Sequence, residues 1–274
     1  MTTASIVLYK TKIEDVQTIM NCSLNSCIEK IFVVDNSPTD DLRRVISDYM
    51  PDKVEYIFGQ GNIGYGSGHN IAIRKSIELN ARYHVVLNPD IEFETGLLDA
   101  LQAFMDAHPN AGYVIPKVIH PDGEVGPICH RIPTPFDIFA IRLLPERIGR
   151  RQVAKYFLEK YNSGESACNV PILSGCFMFM RVDTLKRAGL FDERFFMYFE
   201  DFDLMRRIYR LAQNIYYPKV SIIHKHGNEH RSNKTMLKIS IRSAIAYFNK
   251  WGWLFDKERR RVNEHIYDEE NIIA

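Results

Sequence analysis

Hydrophobic and polar positions change period several times along the first third of the chain. Ala4 to Leu8 is a short apolar run with β-branched residues, and Ile13 to Leu24 carries apolar residues at helical spacing. Lys30 to Val34 reads as a second strand, stopped by Asp35, Asn36, Ser37 and Pro38. Leu42 to Tyr49 reads as a helix, Val54 to Phe58 as a strand, Asn70 to Asn80 as a helix and Tyr83 to Leu87 as a fourth strand. Strands alternating with helices predict an α/β fold: a mostly parallel central sheet flanked by helices on both faces. In such sheets ligands gather at the C-terminal ends of the strands.

Beyond this, Leu97 to Ala107 predicts a helix and Tyr113 to Val118 a strand. Pro121 to Pro135 is rich in Pro and Gly and reads as a loop or hairpin. Pro135 to Tyr161 has helical patches and several Arg residues, and is read as a mobile or acceptor-facing insertion. Pro171 to Arg181 is a buried, strand-like run. Leu204 to Leu211 continues a helix after an acidic cluster, Asn214 to His224 contains a strand, and Ile239 to Trp253 is a C-terminal helix.

Composition changes this picture little. Of 274 residues, 46% are hydrophobic and 25% charged, which are ordinary globular values. Lys plus Arg number 35 against 34 Asp plus Glu, so no basic excess demands a nucleic-acid partner. Five cysteines, with no CxxC pair, read as free thiols in a reducing cytoplasm. No signal peptide precedes the first strand, and no apolar run approaches the ~20 residues of a membrane-spanning helix. The expected location is cytoplasmic.

Five segments carry candidate chemistry. Asp35 ends a strand, where a carboxylate can accept hydrogen bonds from a ribose or base edge; a self-capping turn residue is the plainer reading. Gly59, Gly61 and Gly64 satisfy the dinucleotide-binding G-x-G-x-x-G pattern. Against that use, two strands precede the motif where one is usual, and the next strand ends in Asn88 rather than an acid. The glycines also continue through Gly66 and Gly68, which suits a longer loop. Asp90 in LNPD is presented just past a strand. A divalent cation on a diphosphate needs few protein oxygens, because the phosphates supply the rest. Glu200, Asp201 and Asp203 stand among Phe195, Phe196, Tyr198, Phe199 and Phe202 at a helix start. The helix dipole favours acids there, but an aromatic setting also raises a carboxylate's pKa towards that of a general base. His224 closes a strand, with His226, His230 and Arg231 following; clustered His residues can ligate a metal.

Taken in order, VDNS, the loop of Asn62, Gly64 and Asn70, LNPD, LSG at Leu173 to Gly175, GLFDERFFMYFEDFDL, and IIH with Arg231 and Ser232 resemble glycosyltransferase family 2. Within it they are most similar to the rhamnosyltransferase-like bacterial members. The resemblance runs from Ile6 to Ser232. It implies a GT-A fold and an inverting, metal-dependent transfer of a sugar, dTDP-rhamnose being the favoured donor, to an acceptor in cell-surface polysaccharide synthesis. It implies that Asp35, Asn62, Gly64, Asn70 and Asn88 attend the nucleotide sugar, and that Arg231 lies near the diphosphate. It further implies that Asp90 and His224, with His226 as fallback, hold Mg²⁺ or Mn²⁺. Asp201, paired with Glu200, would be the base. Asn88 stands where the first aspartate of the family's Asp-x-Asp motif often is.

The expected organisation is a catalytic domain over residues 1–232 and a C-terminal helical extension over 233–274. The expected partners are a nucleotide-diphosphate sugar and a saccharide or lipid-linked saccharide acceptor. Trp251, Trp253 and Phe255 precede Lys257, Arg259, Arg260 and Arg261, a composition suited to peripheral contact with the inner face of the cell membrane. Packing of the Trp residues onto the domain is the alternative. Two other classes compete with a transferase: a dinucleotide-dependent oxidoreductase using Gly59, Gly61 and Gly64, and a non-catalytic carbohydrate-binding protein using the aromatics. Neither uses all the segments together.

Overall fold

The computed structural model describes residues 1–47, 49, 52–143, 152–225 and 234–273, the side chains of 141–143 excepted. His226, His230, Arg231 and Ser232 therefore lie outside the described residues, as does the middle of the 135–161 segment.

The parallel part of the sheet forms first in the chain. Strands β1 (Thr2–Leu8), β2 (Lys30–Asp35), β3 (Val54–Phe58) and β4 (Tyr83–Leu87) alternate with helices Ile13–Leu24, Arg43–Ser47 and Tyr65–Glu78. β1 pairs in parallel with β2 on one side and β4 on the other, and β2 pairs in parallel with β3. Every residue of β1 and β4 is buried, as in strands covered on both faces, and the polar Thr2, Thr3, Ser5 and His84 among them are hydrogen-bonded. The C-terminal ends of these strands are in register: Leu8 faces Asp35, Asp35 faces Phe58, and Ile6 faces Leu87.

The second half of the sheet is mixed. β5 (Ile91–Glu92), β6 (Ala111–Ile119), β7 (Ala167–Asn169), β8 (Phe177–Arg181), β9 (Gln213–His224) and β10 (Ile272–Ile273) complete the order β10-β7-β9-β6-β8-β4-β1-β2-β3, with β5 against β9. β8 runs antiparallel to β4 and β6, whereas β6 and β9 are parallel. So the expectation of a mostly parallel sheet holds for the first four strands and gives way to mixed pairing beyond them. Antiparallel β8 has a consequence for the site. Phe177 pairs with Leu87, so the turn just before β8 is brought to the end of β4. β5 pairs Ile91 with His224, which brings the end of β9 to the same edge.

Two element boundaries differ from the sequence reading in an informative way. The helix expected from Asn70 begins at Tyr65 and includes Gly66 and Gly68. These glycines are there for contact, not loop flexibility. A Cβ on Gly66 would lie 2.8 Å from Cβ of Phe191, and one on Gly68 would lie 2.9 Å from a methyl of Val7. The Pro171–Arg181 run is a strand only from Phe177; residues 171–176 form the irregular approach to it.

The region after residue 233 has helices Lys234–Trp251 and Lys257–Glu264, then β10, which pairs with β7 at the sheet edge. Tyr247 and Phe248 of the long helix form a buried aromatic cluster with Phe195 and Phe199. The expected helical extension is thus helical for most of its length and ends as a strand of the main sheet.

Candidate active site

The acidic segment is the centre of the arrangement. Helix Glu200–Tyr209 begins directly at Glu200, so Glu200, Asp201 and Asp203 all fall in its first turn. The chain enters through Tyr198 and Phe199, both left-handed with φ of 68° and 65°. That conformation is costly for aromatic residues and persists only where packing enforces it. Phe199 is held by Phe195, Tyr247 and Phe248. This is how the aromatic residues around the acids act: they fix the backbone from which the carboxylates project.

The three carboxylates have different surroundings. Asp203 is fully buried and bound by Arg207 at 2.9 Å, Lys250 at 2.6 Å and the Trp251 indole at 2.8 Å. Those partners make it a structural anchor. Glu200 is buried, and its Oε2 has no hydrogen-bond partner among the described residues. Burial first, and then the neighbouring Asp201, raise its pKa. Asp201 is half-buried, and burial pushes its pKa up to about 6 despite hydrogen bonds from backbone N–H groups. One of these comes from Phe202 at 2.9 Å. Of the three, only Asp201 combines a raised pKa with partial exposure.

Gly175 and Tyr65 tie Asp201 to the strand ends. A Cβ on Gly175 would lie 2.7 Å from Oδ2 of Asp201, so the turn before β8 fits only with glycine there. The Tyr65 hydroxyl donates to Oδ1 of Asn88 at 2.8 Å and lies 3.0 Å from the Gly175 carbonyl. Burial raises its pKa, and the charges of Glu200, Asp201 and Asp90 add to the effect. Tyr65 thus stands within electrostatic reach of all three acids. Sequence reasoning missed it as a site residue, although it sits inside the glycine-rich motif. Gly175 was visible only through the LSG match. Cys176, whose thiol burial pushes up to about 12, lies in the same turn and accepts the Asn88 N–H through its carbonyl at 3.0 Å.

The structure brings Asp90 and His224 together. His224 Nε2 lies 3.2 Å from Oδ2 of Asp90, both side chains being partly exposed. Pairing of Ile91 with His224 and a bond from the Lys225 N–H to the Asp90 carbonyl at 2.9 Å fix that approach. A carboxylate oxygen and an imidazole nitrogen side by side are a fitting donor pair for a divalent cation. Among the described residues no third His, Cys, Asp or Glu completes a cluster.

The remaining candidates divide into two groups. Asn62 is exposed in the loop after β3, its Oδ1 3.3 Å from the Gly64 N–H, and Asn88 is partly exposed. Asp35, Gly64 and Asn70 are engaged internally. Asp35 is fully buried; its oxygens accept from the Ser37 N–H at 2.9 Å and the Tyr56 hydroxyl at 2.7 Å. Gly64, with φ of 91°, has no room for a side chain, since its Cβ would lie 2.3 Å from the Phe196 carbonyl oxygen. Asn70 is buried with its amide bonded to both backbone groups of Phe191, at 2.9 and 3.0 Å. It fastens the 191 segment to the helix and offers no free polar group to a ligand. Arg231 lies outside the described residues.

The aromatic and basic C-terminal cluster separates. Trp251 is turned inward under the guanidinium of Arg206, 4.1 Å away, and Arg259 is buried with bonds to the Gly252 and Trp253 carbonyls. Leu254 and Phe255 project into solvent, 79% and 96% exposed.

The match to the family model described as "Glycosyl transferase family 2" spans residues 17–189, more than half of the chain. This chain belongs to glycosyltransferase family 2. A hexosyltransferase of low-salt glycan biosynthesis, Agl10 of Haloferax volcanii, is 30% identical over 215 residues, 77% of this chain and 62% of the relative. The N-acetylglucosaminyl-diphospho-decaprenol L-rhamnosyltransferase of Mycobacterium tuberculosis is 28% identical over 205 residues, 71% and 66% respectively. The chain therefore spans less than two thirds of the length of either relative. In three dimensions it resembles GalNAc-T7 crystallised with UDP, GalNAc and Mn²⁺, with a TM-score of 0.63 at 12% identity, over 96% of this chain and 54% of that one. It also resembles residues 1–349 of S. aureus TarS in complex with UDP-GlcNAc, with a TM-score of 0.61 at 15% identity, over 98% and 74%. At such identities the likeness concerns the fold, which is GT-A. The dinucleotide fingerprint of Gly59, Gly61 and Gly64 is thus a chance match within this fold.

Proposed function

We propose that the chain is an inverting glycosyltransferase that moves a sugar from a nucleoside diphosphate to an acceptor hydroxyl, with Asp201 as the base. The carrying observation is the Asp201 carboxylate, half-buried, raised to about 6 and backed by Gly175 at the C-terminal edge of the sheet. At neutral pH it is ionised yet basic enough to accept a proton. The acceptor oxygen attacks the anomeric carbon as its proton passes to Asp201. The bond from that carbon to the diphosphate breaks on the opposite face, and the nucleoside diphosphate leaves with the electron pair. A single displacement inverts the anomeric centre. Burial, and then the neighbouring Asp201, raise the pKa of Glu200 as well.

Asp90 and His224 are the residues that would hold Mg²⁺ or Mn²⁺. A bound divalent cation offsets the charge that builds up on a leaving diphosphate. Asn62, exposed, and Asn88, partly exposed, would meet the donor. The mycobacterial relative favours a rhamnosyl donor, and the role in polysaccharide synthesis rests on the same likeness.

A lipid-linked acceptor and contact with the membrane surface fit the outer face of helix Lys234–Trp251. Leu237, Ile241 and Ile245 are exposed on one stripe, beside Lys234, Lys238 and Arg242, and Leu254 and Phe255 project just beyond. No described helix is long and apolar enough to cross a membrane.

The test is a donor screen that follows nucleoside diphosphate release, with and without Mn²⁺, for the parent and Asp90→Ala. Release from one donor only with the cation, lost in the variant, supports the reading. Full activity of the variant or in excess chelator removes the metal from it, and no turnover of any nucleotide sugar removes the reading altogether.

A further inference from the structure

The side chain of Tyr65 joins segments that are far apart in the chain. Tyr65 opens helix Tyr65–Glu78 and is partly exposed. Its hydroxyl lies 2.8 Å from Oδ1 of Asn88, just past β4, and 3.0 Å from the carbonyl of Gly175, in the turn that backs Asp201. Its backbone N–H donates to the Phe196 carbonyl at 2.9 Å, on the approach to Glu200. The ring meets His69 edge-on at 4.4 Å and Phe191 at 6.3 Å. Packing and bonds together therefore fix where the hydroxyl sits.

A phenol has one proton to donate, and both of its neighbours here are acceptors. Asn88 is also held from the other side, where its N–H donates to the Cys176 carbonyl at 3.0 Å. With Oδ1 occupied by Tyr65, the amide nitrogen of the partly exposed Asn88 has no acceptor among the described residues. It is left with N–H groups for a ligand. An N–H cannot coordinate a cation, which takes oxygen or imidazole nitrogen. It does suit a phosphate oxygen, which only accepts. Two residues further on, Asp90 stands 3.2 Å from His224 and supplies the cation ligands that Asn88 lacks.

We infer that Tyr65 is a positioning residue whose hydroxyl holds Asn88 with its amide N–H groups towards the donor's diphosphate. Asn88 then binds the diphosphate directly and leaves the cation to Asp90 and His224. The inference rests on the transferase reading and deepens it, because it gives Asn88 a different task from Asp90.

Two measurements on the whole chain test it: calorimetry with UDP and with dTDP in Mn²⁺, and Mn²⁺ affinity of the nucleotide complex from the electron paramagnetic resonance of free Mn²⁺. The parent should bind at least one nucleotide. Asn88→Ala should weaken that nucleotide about tenfold and keep the Mn²⁺ affinity within about twofold. Asp90→Ala should weaken Mn²⁺ about tenfold or more. Tyr65→Phe keeps the ring and should weaken the nucleotide about threefold to tenfold. Adding it to Asn88→Ala should weaken binding no further, because its effect passes through that amide. A Tyr65 that served stability alone would lower the melting temperature and leave nucleotide affinity as in the parent, which overturns its role. An additive double variant overturns it too. Mn²⁺ affinity falling in Asn88→Ala as in Asp90→Ala would mean that the amide oxygen faces the cation, and the inference fails. In these cases the parent still binds nucleotide and the transferase reading stands; if neither nucleotide binds the parent, both fall.

Discussion

Gly175 and Asp201 approach so closely that no side chain fits between them: a Cβ on Gly175 would lie 2.7 Å from both Cβ and Oδ2 of Asp201. The turn before β8 thus sets the position of the carboxylate from outside its own helix. Gly175→Ala should displace Asp201 and slow transfer about 10- to 100-fold, since small misplacements of a reacting group are costly. Nucleotide affinity should change less than turnover, because Asp90 and His224 are on other segments. Turnover and donor titration measured together check this. A parent-like rate in Gly175→Ala would mean that the position of Asp201 does not matter to the chemistry.

Asp201→Asn keeps shape and hydrogen bonding but cannot take a proton. Turnover should fall about 10²–10⁴-fold, the usual loss for a general base. Thermal stability should hold or rise. Asp201 has a folded pKa near 6, above its ordinary value near 3.8, so its ionised form is disfavoured in the native state. A carboxylate that served only the helix N-terminus would behave in the opposite way, losing about 0.3–1 kcal/mol of stability with its charge and leaving the chemistry intact. In the parent, kcat/KM should drop as pH falls through about 6, when Asp201 takes up a proton. A pH profile flat from 5 to 8 would reject it as the base.

Much of this site was legible because its residues follow strands whose patterns are plain. The Asp90–His224 pair could be named because each residue closes or follows a strand, and β5 and β9 do pair there. The acidic segment stood out by composition, but composition could not separate its members. Asp203 is paired with Lys250 and accepts from the Trp251 indole, nearly fifty residues further on, and only tertiary structure shows that. Asn70 was assigned to the ligand through the family resemblance, yet its amide bonds to Phe191, which is remote in sequence. Gly66 and Gly68 misled for a related reason: glycine signals either a turn or a close approach, and sequence does not say which. Tyr65 was missed because its hydroxyl gains meaning only from Asn88 and Gly175.

Acid should unfold the protein early. His84 lies in the core between Thr3, Ser5 and Ser76, with bonds of 2.8–2.9 Å, and burial pushes its pKa down to about 3. His130 is likewise depressed to about 3, and His69 is lowered by burial and by His84. Each binds its proton more readily in the unfolded chain, so their stabilising contribution is complete above about pH 6.5 and is lost as pH falls towards 3. At pH 5 the loss is about 2 kcal/mol for each strongly shifted group. Urea unfolding at pH 7.5, 6 and 5 should show a falling midpoint. His84→Asn should flatten part of that dependence, although its own fit costs stability at every pH. An unchanged midpoint down to pH 5 would mean that these rings protonate in the native state.

The C-terminal region should prove inseparable from the catalytic fold. Arg206, on the helix that starts at Glu200, is 2% exposed and bonds Asp256 at 2.7 Å and Glu258 at 2.7 and 2.9 Å, with Trp251 stacked on its guanidinium. A buried guanidinium is tolerable only while its partners remain. Asp256→Ala leaves Arg206 with Glu258 alone and also removes the cap that accepts from the Arg259 N–H. The expected cost is about 3–5 kcal/mol. The prediction reaches function through Phe199. If the region after residue 233 loosens, Tyr247 and Phe248 no longer hold the left-handed backbone that precedes Glu200. Asp256→Ala should therefore lower turnover at temperatures where the fold is still largely native. Denaturant curves and rates on the same samples decide it: a variant as stable and as active as the parent would make this region an appendage, as the sequence alone suggested.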